Sequence, residues 1–388
     1  MKRLLLSLSI PFLLALSTPP ARAAQAVSDV QVDVGGHALH FHIVKGQGTP
    51  ILFETGGGDD ASVWGDLLPA VAELTGTTLI AYDRPGFGQS GIDPLHPSLA
   101  DTVDELEQGL KKLGYDGKLL LVAHSLGGFY ASLYAARHPD TVRGAVLIDA
   151  NVACFFTPAY LAGKQQVNEE TMAKTKTSRP GVYFIFEQLT RTVDLMRRTP
   201  FPANVPAVDI VSDKTPFTDA ADAQRWKTCH REFAAGAANR QGMLASGTGH
   251  YVYKDDPALV INAIAKMYAS TLDERARAAM LERSLAYNID AANQAFRRET
   301  ERRHSESDLN DWGYQLLAKG DPRTAVDVFK LNASLHPASA NTYDSLAEGY
   351  EALGDKAQAI ANYRRSLQLQ PDSEHSKQRL QILQPAKP

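Results

Sequence analysis

The sequence predicts an α/β protein: a mostly parallel sheet covered by helices and carrying a lid insertion, followed by an all-α repeat region. Three observations predict it. Short apolar runs alternate with helical patterns from about residue 50 to residue 246. The runs are apolar at consecutive positions, as strands buried on both faces of a parallel sheet must be. Near the C-terminus, a set of small, aromatic and proline positions recurs every 34 residues.

Residues 1–23 read as a secretory signal. Lys2 and Arg3 precede an apolar stretch, Leu4 to Leu16, broken by Pro11, and Ala21-Arg22-Ala23 supplies a small-x-small cleavage site. The stretch is shorter than the roughly 20 residues of a spanning helix, so no membrane span is expected, and no Cys stands at the cleavage site to take a lipid, so no lipoprotein is expected either. The expected mature protein is exported, periplasmic or secreted.

Val30 to Val34 and Leu39 to Val44 alternate around Gly35-Gly36 and predict a β-hairpin. Pro50 to Phe53, Thr78 to Tyr82, Lys118 to Ala123 and Ala145 to Ile148 follow as buried strands, with helical patterns at Leu99 to Leu113 and Phe129 to Arg137. Two further β-α units begin at Ala207 to Val211 and Gly242 to Ser246. Asn151 to Asn204, rich in Phe, Tyr and basic residues, is too long for a plain connection and is expected to fold as a lid, about 151–204 of a domain covering 24–270. A charged helical connector is expected over 271–303.

In the tail, 304–388, Gly320, Ala325, Phe329 and Pro337 recur as Gly354, Ala359, Tyr363 and Pro371, and Trp312-Gly313-Tyr314 opens the first unit. This resembles tetratricopeptide repeats, in which small residues let paired helices pack closely and Pro ends each pair. Ser373 to Leu383 reads as a capping helix. The resemblance implies a protein partner bound through these repeats.

Composition excludes several classes. Of 388 residues, 44% are hydrophobic and 22% charged, which is neither disordered nor multi-span membrane composition. The formal charge is −4 with no long basic run, so the phosphate-neutralising surface of a nucleic-acid binder is missing. Cys154 and Cys229 are the only cysteines. An oxidising compartment permits one disulfide, two buried thiols being the alternative, and two cysteines so far apart give no metal-site spacing.

The most informative stretch is Leu119-Leu120-Leu121-Val122-Ala123-His124-Ser125-Leu126-Gly127-Gly128. An apolar strand runs directly into a Ser flanked by small residues and then a helix, the nucleophile-elbow arrangement, with Ala123 where the usual pattern has its first Gly. Tyr82-Asp83-Arg84-Pro85-Gly86-Phe87-Gly88-Gln89-Ser90 and Phe53-Glu54-Thr55-Gly56-Gly57-Gly58 each follow a strand. With the elbow, they resemble the α/β-hydrolase fold family over about Val30 to Ser270.

The resemblance implies two backbone N–H groups for a substrate oxyanion, from Gly57 and Leu126, and a chain order of Ser, acid, His. His250, in Thr248-Gly249-His250-Tyr251 after the last strand, occupies the expected place of the base. His124 reads as packing beside the site. The acid has two named candidates, with another residue left as the alternative. Asp149 ends the sixth strand, where haloalkane dehalogenases and pancreatic lipases carry theirs. Asp213 follows the seventh strand, two residues before the commoner place, which falls on Thr215. The expected chemistry is acyl transfer through Ser125 without a cofactor, on a small-molecule carboxylic ester. The alternatives are an amide or peptide, or an inert platform whose repeats bind a partner. Phe155, Phe156, Tyr160, Tyr183, Phe184 and Phe186 in the lid either line an apolar subsite or pack the lid itself.

Overall fold

A computed structural model describes residues 27–164, 169–303 and 305–384. The segment read as a secretory signal lies outside them. Eight strands, β1 (Val27–Asp33), β2 (Ala38–Val44), β3 (Ile51–Glu54), β4 (Leu79–Tyr82), β5 (Leu119–His124), β6 (Val142–Ile148), β7 (Ala207–Ser212) and β8 (Arg240–Ala245), form one sheet. Its order is β1-β2-β4-β3-β5-β6-β7-β8. The β1/β2 and β2/β4 pairs are antiparallel and all others parallel.

Burial explains the order. Every residue of β3, β4, β5 and β7 is buried, so these strands need cover on both faces. β1 alternates exposed and covered positions and β8 is mostly uncovered, as edge strands are. Helix Leu99–Leu113 shows how local chemistry sets an element. Ser98 and Asp101 form a reciprocal capping box, Leu99, Val103, Leu106 and Leu110 face the core, and Gly114 ends the helix in the left-handed conformation.

The strands lie close to their sequence expectations. β6 starts at Val142, three residues before the expected Ala145: Val142 pairs with Leu119, and the register shifts before Gly144 pairs with Leu120. Between β6 and β7 stand a short 3-10 turn, Ala153–Phe155, and the helices Pro158–Lys164, Glu169–Ser178 and Pro180–Arg198.

The chain divides into two compact units after Ala286, inside the helix Glu274–Arg303. The first turns of that helix belong to the sheet-containing unit: Met280 is buried and Ser284 Oγ donates to Asn262 Oδ1 at 2.7 Å. The second unit is helical, with Glu306–Ala318, Pro322–Leu335, Ala340–Leu353, Lys356–Leu369 and Glu374–Leu383. Positions 34 apart hold equivalent places. Ala325 and Ala359, and Phe329 and Tyr363, are all fully buried, and Gly320 and Gly354 both take positive φ after a helix. No helix among the described residues is long and apolar enough to cross a membrane.

Candidate active site

The C-terminal ends of the parallel strands carry the site, the edge at which open α/β sheets place their chemistry. β5 ends at His124, and Ser125 turns the chain into the helix Gly127–Arg137. Its φ is +52°, in the left-handed region that a side chain enters at a cost of about 1–3 kcal/mol. Neighbours compel the turn: Ser125 N–H donates to Ile148 O at 3.2 Å, and Ser125 O accepts from Asn151 N–H at 2.7 Å and Gly128 N–H at 3.0 Å. The helix that follows sits close against two strand ends. A Cβ on Gly127 would stand 2.6 Å from Thr55 O, and one on Gly128 2.7 Å from Ala150 Cβ. The elbow therefore needs glycine at 127 and 128, whereas Ala123 before it lies buried in β5, in register with Glu54 and Leu147.

Asp149, directly after β6, is the only other described non-glycine residue with positive φ, at +43°. Its carboxylate is completely buried and fully partnered. Oδ1 accepts from Trp226 Nε1–H at 2.8 Å and Ser212 N–H at 2.9 Å. Oδ2 accepts from Ser212 Oγ–H at 2.8 Å and lies 2.6 Å from His250 Nδ1. Burial pushes Asp149 up, but the hydrogen bonds from His250 and Trp226, the charge of His250 and the Ser212 amide outweigh it and hold the carboxyl below the usual range. His250 Nε2 in turn lies 2.9 Å from Ser125 Oγ. Ser125, His250 and Asp149 thus form one continuous hydrogen-bonded chain. Asp213 does not join it: it pairs with Lys227 Nζ at 3.2 Å and accepts from Gly247 N–H at 3.2 Å.

His124 packs against the ring of His250, with centroids 4.6 Å apart. Its Nε2 donates to His250 O at 3.0 Å, and burial, reinforced by the neighbouring His250, pushes it down to about 3, so the ring is neutral.

The loop after β3 is held by a residue that local sequence reasoning treats only as part of a turn motif. Arg84 is buried, and its guanidinium donates to Thr55 O at 2.6 Å and to Gly56 O, beneath Gly57. Glu54 Oε2 stands 3.8 Å away, and its partner oxygen accepts from Tyr82 Oη–H at 2.8 Å. Burial raises Glu54 to about 7, against the opposing Arg84 charge and Tyr82 hydrogen bond. Asp83 organises the rest of the motif, accepting from the N–H groups of Ala61 and Gln89, each at 2.9 Å.

A cavity of about 430 Å³ opens over Ser125 and His250, and Gly57 and Leu126 line it beside them. The lid aromatics divide between two tasks. Phe156, Tyr160 and Phe186 line the cavity. Phe155 is buried against Trp226 and Phe217, with ring centroids 5.0 and 4.4 Å away, Phe184 is buried, and Tyr183 donates to Glu187. Cys154 and Cys229 form a disulfide with Cα atoms 5.9 Å apart, tying the segment after Asp149 to the helix that carries Trp226. A second cavity, about 640 Å³, lies beside that disulfide; it shares Asn151 with the first but does not reach Ser125.

Comparison with known proteins agrees with this architecture. A family model described as alpha/beta hydrolase fold matches residues 49–284. An uncharacterized Bacillus subtilis protein, YqjL, is 25% identical over 246 residues, covering 63% of this chain and 93% of that protein. A pimeloyl-[acyl-carrier protein] methyl ester esterase of Shewanella woodyi is 35% identical over 118 residues, covering 30% of this chain and 41% of the enzyme. A haloalkane dehalogenase of Sphingobium indicum is 30% identical over 123 residues, covering 31% and 40%. The chain therefore spans under half the length of these last two. A Vigna radiata epoxide hydrolase mutant superposes with a TM-score of 0.51 at 16% identity, over 61% of this chain and 97% of that one, a likeness of fold.

Proposed function

Because this chain belongs to the alpha/beta hydrolase fold family, we propose that it is an exported serine hydrolase that cleaves carboxylic esters through Ser125, His250 and Asp149. The single observation that carries the reading is the hydrogen-bonded chain of 2.9 Å from Ser125 Oγ to His250 Nε2 and 2.6 Å from His250 Nδ1 to Asp149 Oδ2. In that arrangement His250 Nε2 accepts the Ser125 proton as Oγ attacks the ester carbonyl, and Asp149 stabilises the imidazolium that forms. The N–H groups of Gly57 and Leu126 receive the oxyanion. Collapse expels the alcohol, which takes the proton from His250, and leaves an acyl-Ser125. Water, deprotonated by His250, releases the acid and restores the serine. Ser125 as nucleophile sets this reading apart from the dehalogenases, whose nucleophile is a carboxylate.

Export is supported by the residue 1–23 pattern and by the Cys154–Cys229 disulfide, which suits an oxidising compartment. The C-terminal helices are read as tetratricopeptide-like repeats that bind a protein partner, supported by the equivalence of positions 34 apart. The deciding experiment is turnover of a soluble acyl ester with labelling by an active-site phosphonate. Ser125→Ala abolishes both and His250→Ala abolishes turnover, while the thermal midpoint stays near that of wild type; substantial residual turnover in either variant defeats the assignment. A chain ending after Ala286 is expected to keep turnover of the small ester.

A further inference from the structure

Building on the serine-hydrolase reading above, we propose that the preferred substrate is an acyl ester bearing a negative charge, recognised by Arg179 beside the oxyanion loop. The cavity over Ser125 is walled by apolar side chains, among them Val182, Ile185, Phe186 and Leu189. Arg179 is the only permanently charged side chain among the described residues lining it, and no carboxylate does. Its position is fixed by a 3.1 Å hydrogen bond from Nη2 to Gly58 O, next to Gly57. That bond uses one of the five guanidinium N–H donors. No described carboxylate pairs with the rest, in contrast to the lid cations Lys174 and Arg197, which are matched by Glu170 and Asp194.

The charge of the lid points the same way. Residues 151–204 hold seven Lys and Arg against four Asp and Glu, a net +3 within a chain of net −4. Such a local excess draws anions toward the lid segment, and a guanidinium facing an apolar wall matches a carboxylate or similar oxyanion on an otherwise apolar molecule. The charge resides on either the acyl or the alcohol side of the ester; both place an anion within the cavity. A general contribution of Arg179 to the transition-state oxyanion is the competing role, and it would act on every ester alike.

The test compares matched substrates on the full-length protein. On the acyl side, the para-nitrophenyl monoester of octanedioic acid is set against its methyl-capped isostere. On the alcohol side, the octanoyl ester of para-hydroxybenzoate is set against that of its methyl ester. Wild type is expected to favour at least one charged substrate by roughly fivefold or more in kcat/KM, a preference that shrinks as salt rises. Arg179→Gln should bring the ratio to unity, and Arg179→Lys should keep part of it. Because the readout is a ratio, any general loss from disturbing Gly58 cancels. No preference in wild type on either side, or a preference that survives Arg179→Gln, overturns the inference while leaving the hydrolase reading intact. If no ester is turned over and the phosphonate does not label, the hydrolase reading fails instead. Calorimetric binding of octanedioic monomethyl ester to Ser125→Ala, with and without Arg179→Gln, then decides on the anion site: equal binding or none overturns it.

Discussion

Asp149 and Asp213 stand just past the ends of adjacent strands, and their surroundings differ completely. Asp149 is fully buried, with both oxygens taken by Trp226, Ser212 and His250. The Asp213 side chain is 40% exposed and shares a surface ion pair with Lys227. Both carboxyls are held below the ordinary range, but for different reasons. Asp149 overcomes burial through directed hydrogen bonds, whereas Asp213 is lowered by the Gly247 N–H and by Lys227. A lowered pKa alone therefore does not mark the acid that orients a histidine. What distinguishes Asp149 is the number of donors aimed at it and the exclusion of water.

The sharpest way to break this comparison is to neutralise each residue in turn. Asp149→Asn is expected to lower kcat by about 10⁴, the scale for losing the tautomer and imidazolium support in a triad. Asp213→Asn should leave kcat within a factor of two or so, since a solvent-screened surface pair contributes little. A reversed pattern would transfer the role.

The next largest effect concerns the staple on the Asp149 side. The disulfide closes a separation of 75 residues, for which chain entropy gives about 4 kcal/mol. Reduction, or Cys154→Ser with Cys229→Ser, should lower the denaturation midpoint markedly and lower kcat more than it changes KM. An unchanged kcat in protein that remains folded would show that the staple serves stability only.

Trp226→Phe keeps an aromatic ring against Phe155 but removes one donor to Asp149, with an expected fall in kcat of roughly ten- to a hundredfold, the scale of the ~1.5–3 kcal/mol of a hydrogen bond to a charged group. The same substitution weakens the pH dependence of stability. A depressed carboxyl stabilises the fold above its unfolded pKa, and that contribution is lost as pH falls from near 3.8 through the lower folded value. Wild type should therefore lose stability in that window more steeply than Trp226→Phe, measured by thermal melts at stepped acid pH. The smallest expected effect is that of Lys227→Ala, which exposes Asp213 further and changes stability by less than about 0.5 kcal/mol.

Residue types and spacing already determine the alternation of strands and helices, the turn at Ser125 and the position of His250 after the last strand. These are local matters: buried strands must be apolar on both faces, a Ser between an apolar strand and a helix must sit on a sharp turn, and chain order limits where a base can stand. The lid is legible as an insertion, but not which of its aromatics face the cavity. Which of Asp149 and Asp213 reaches His250 is set only by tertiary structure, because the partners of Asp149 lie 63, 77 and 101 residues away along the chain. Trp226 and Ser212 carry no local signal. Cys229, one turn beyond Trp226, becomes one only once its pairing with Cys154 is known. Arg84 lies within the motif after β4, yet its task of holding Thr55 and Gly56 appears only when β3 and β4 pair in parallel. Which carboxylate is dry, which cation lines the cavity and which carbonyls are gripped depend on contacts between distant segments, and sequence spacing does not record them.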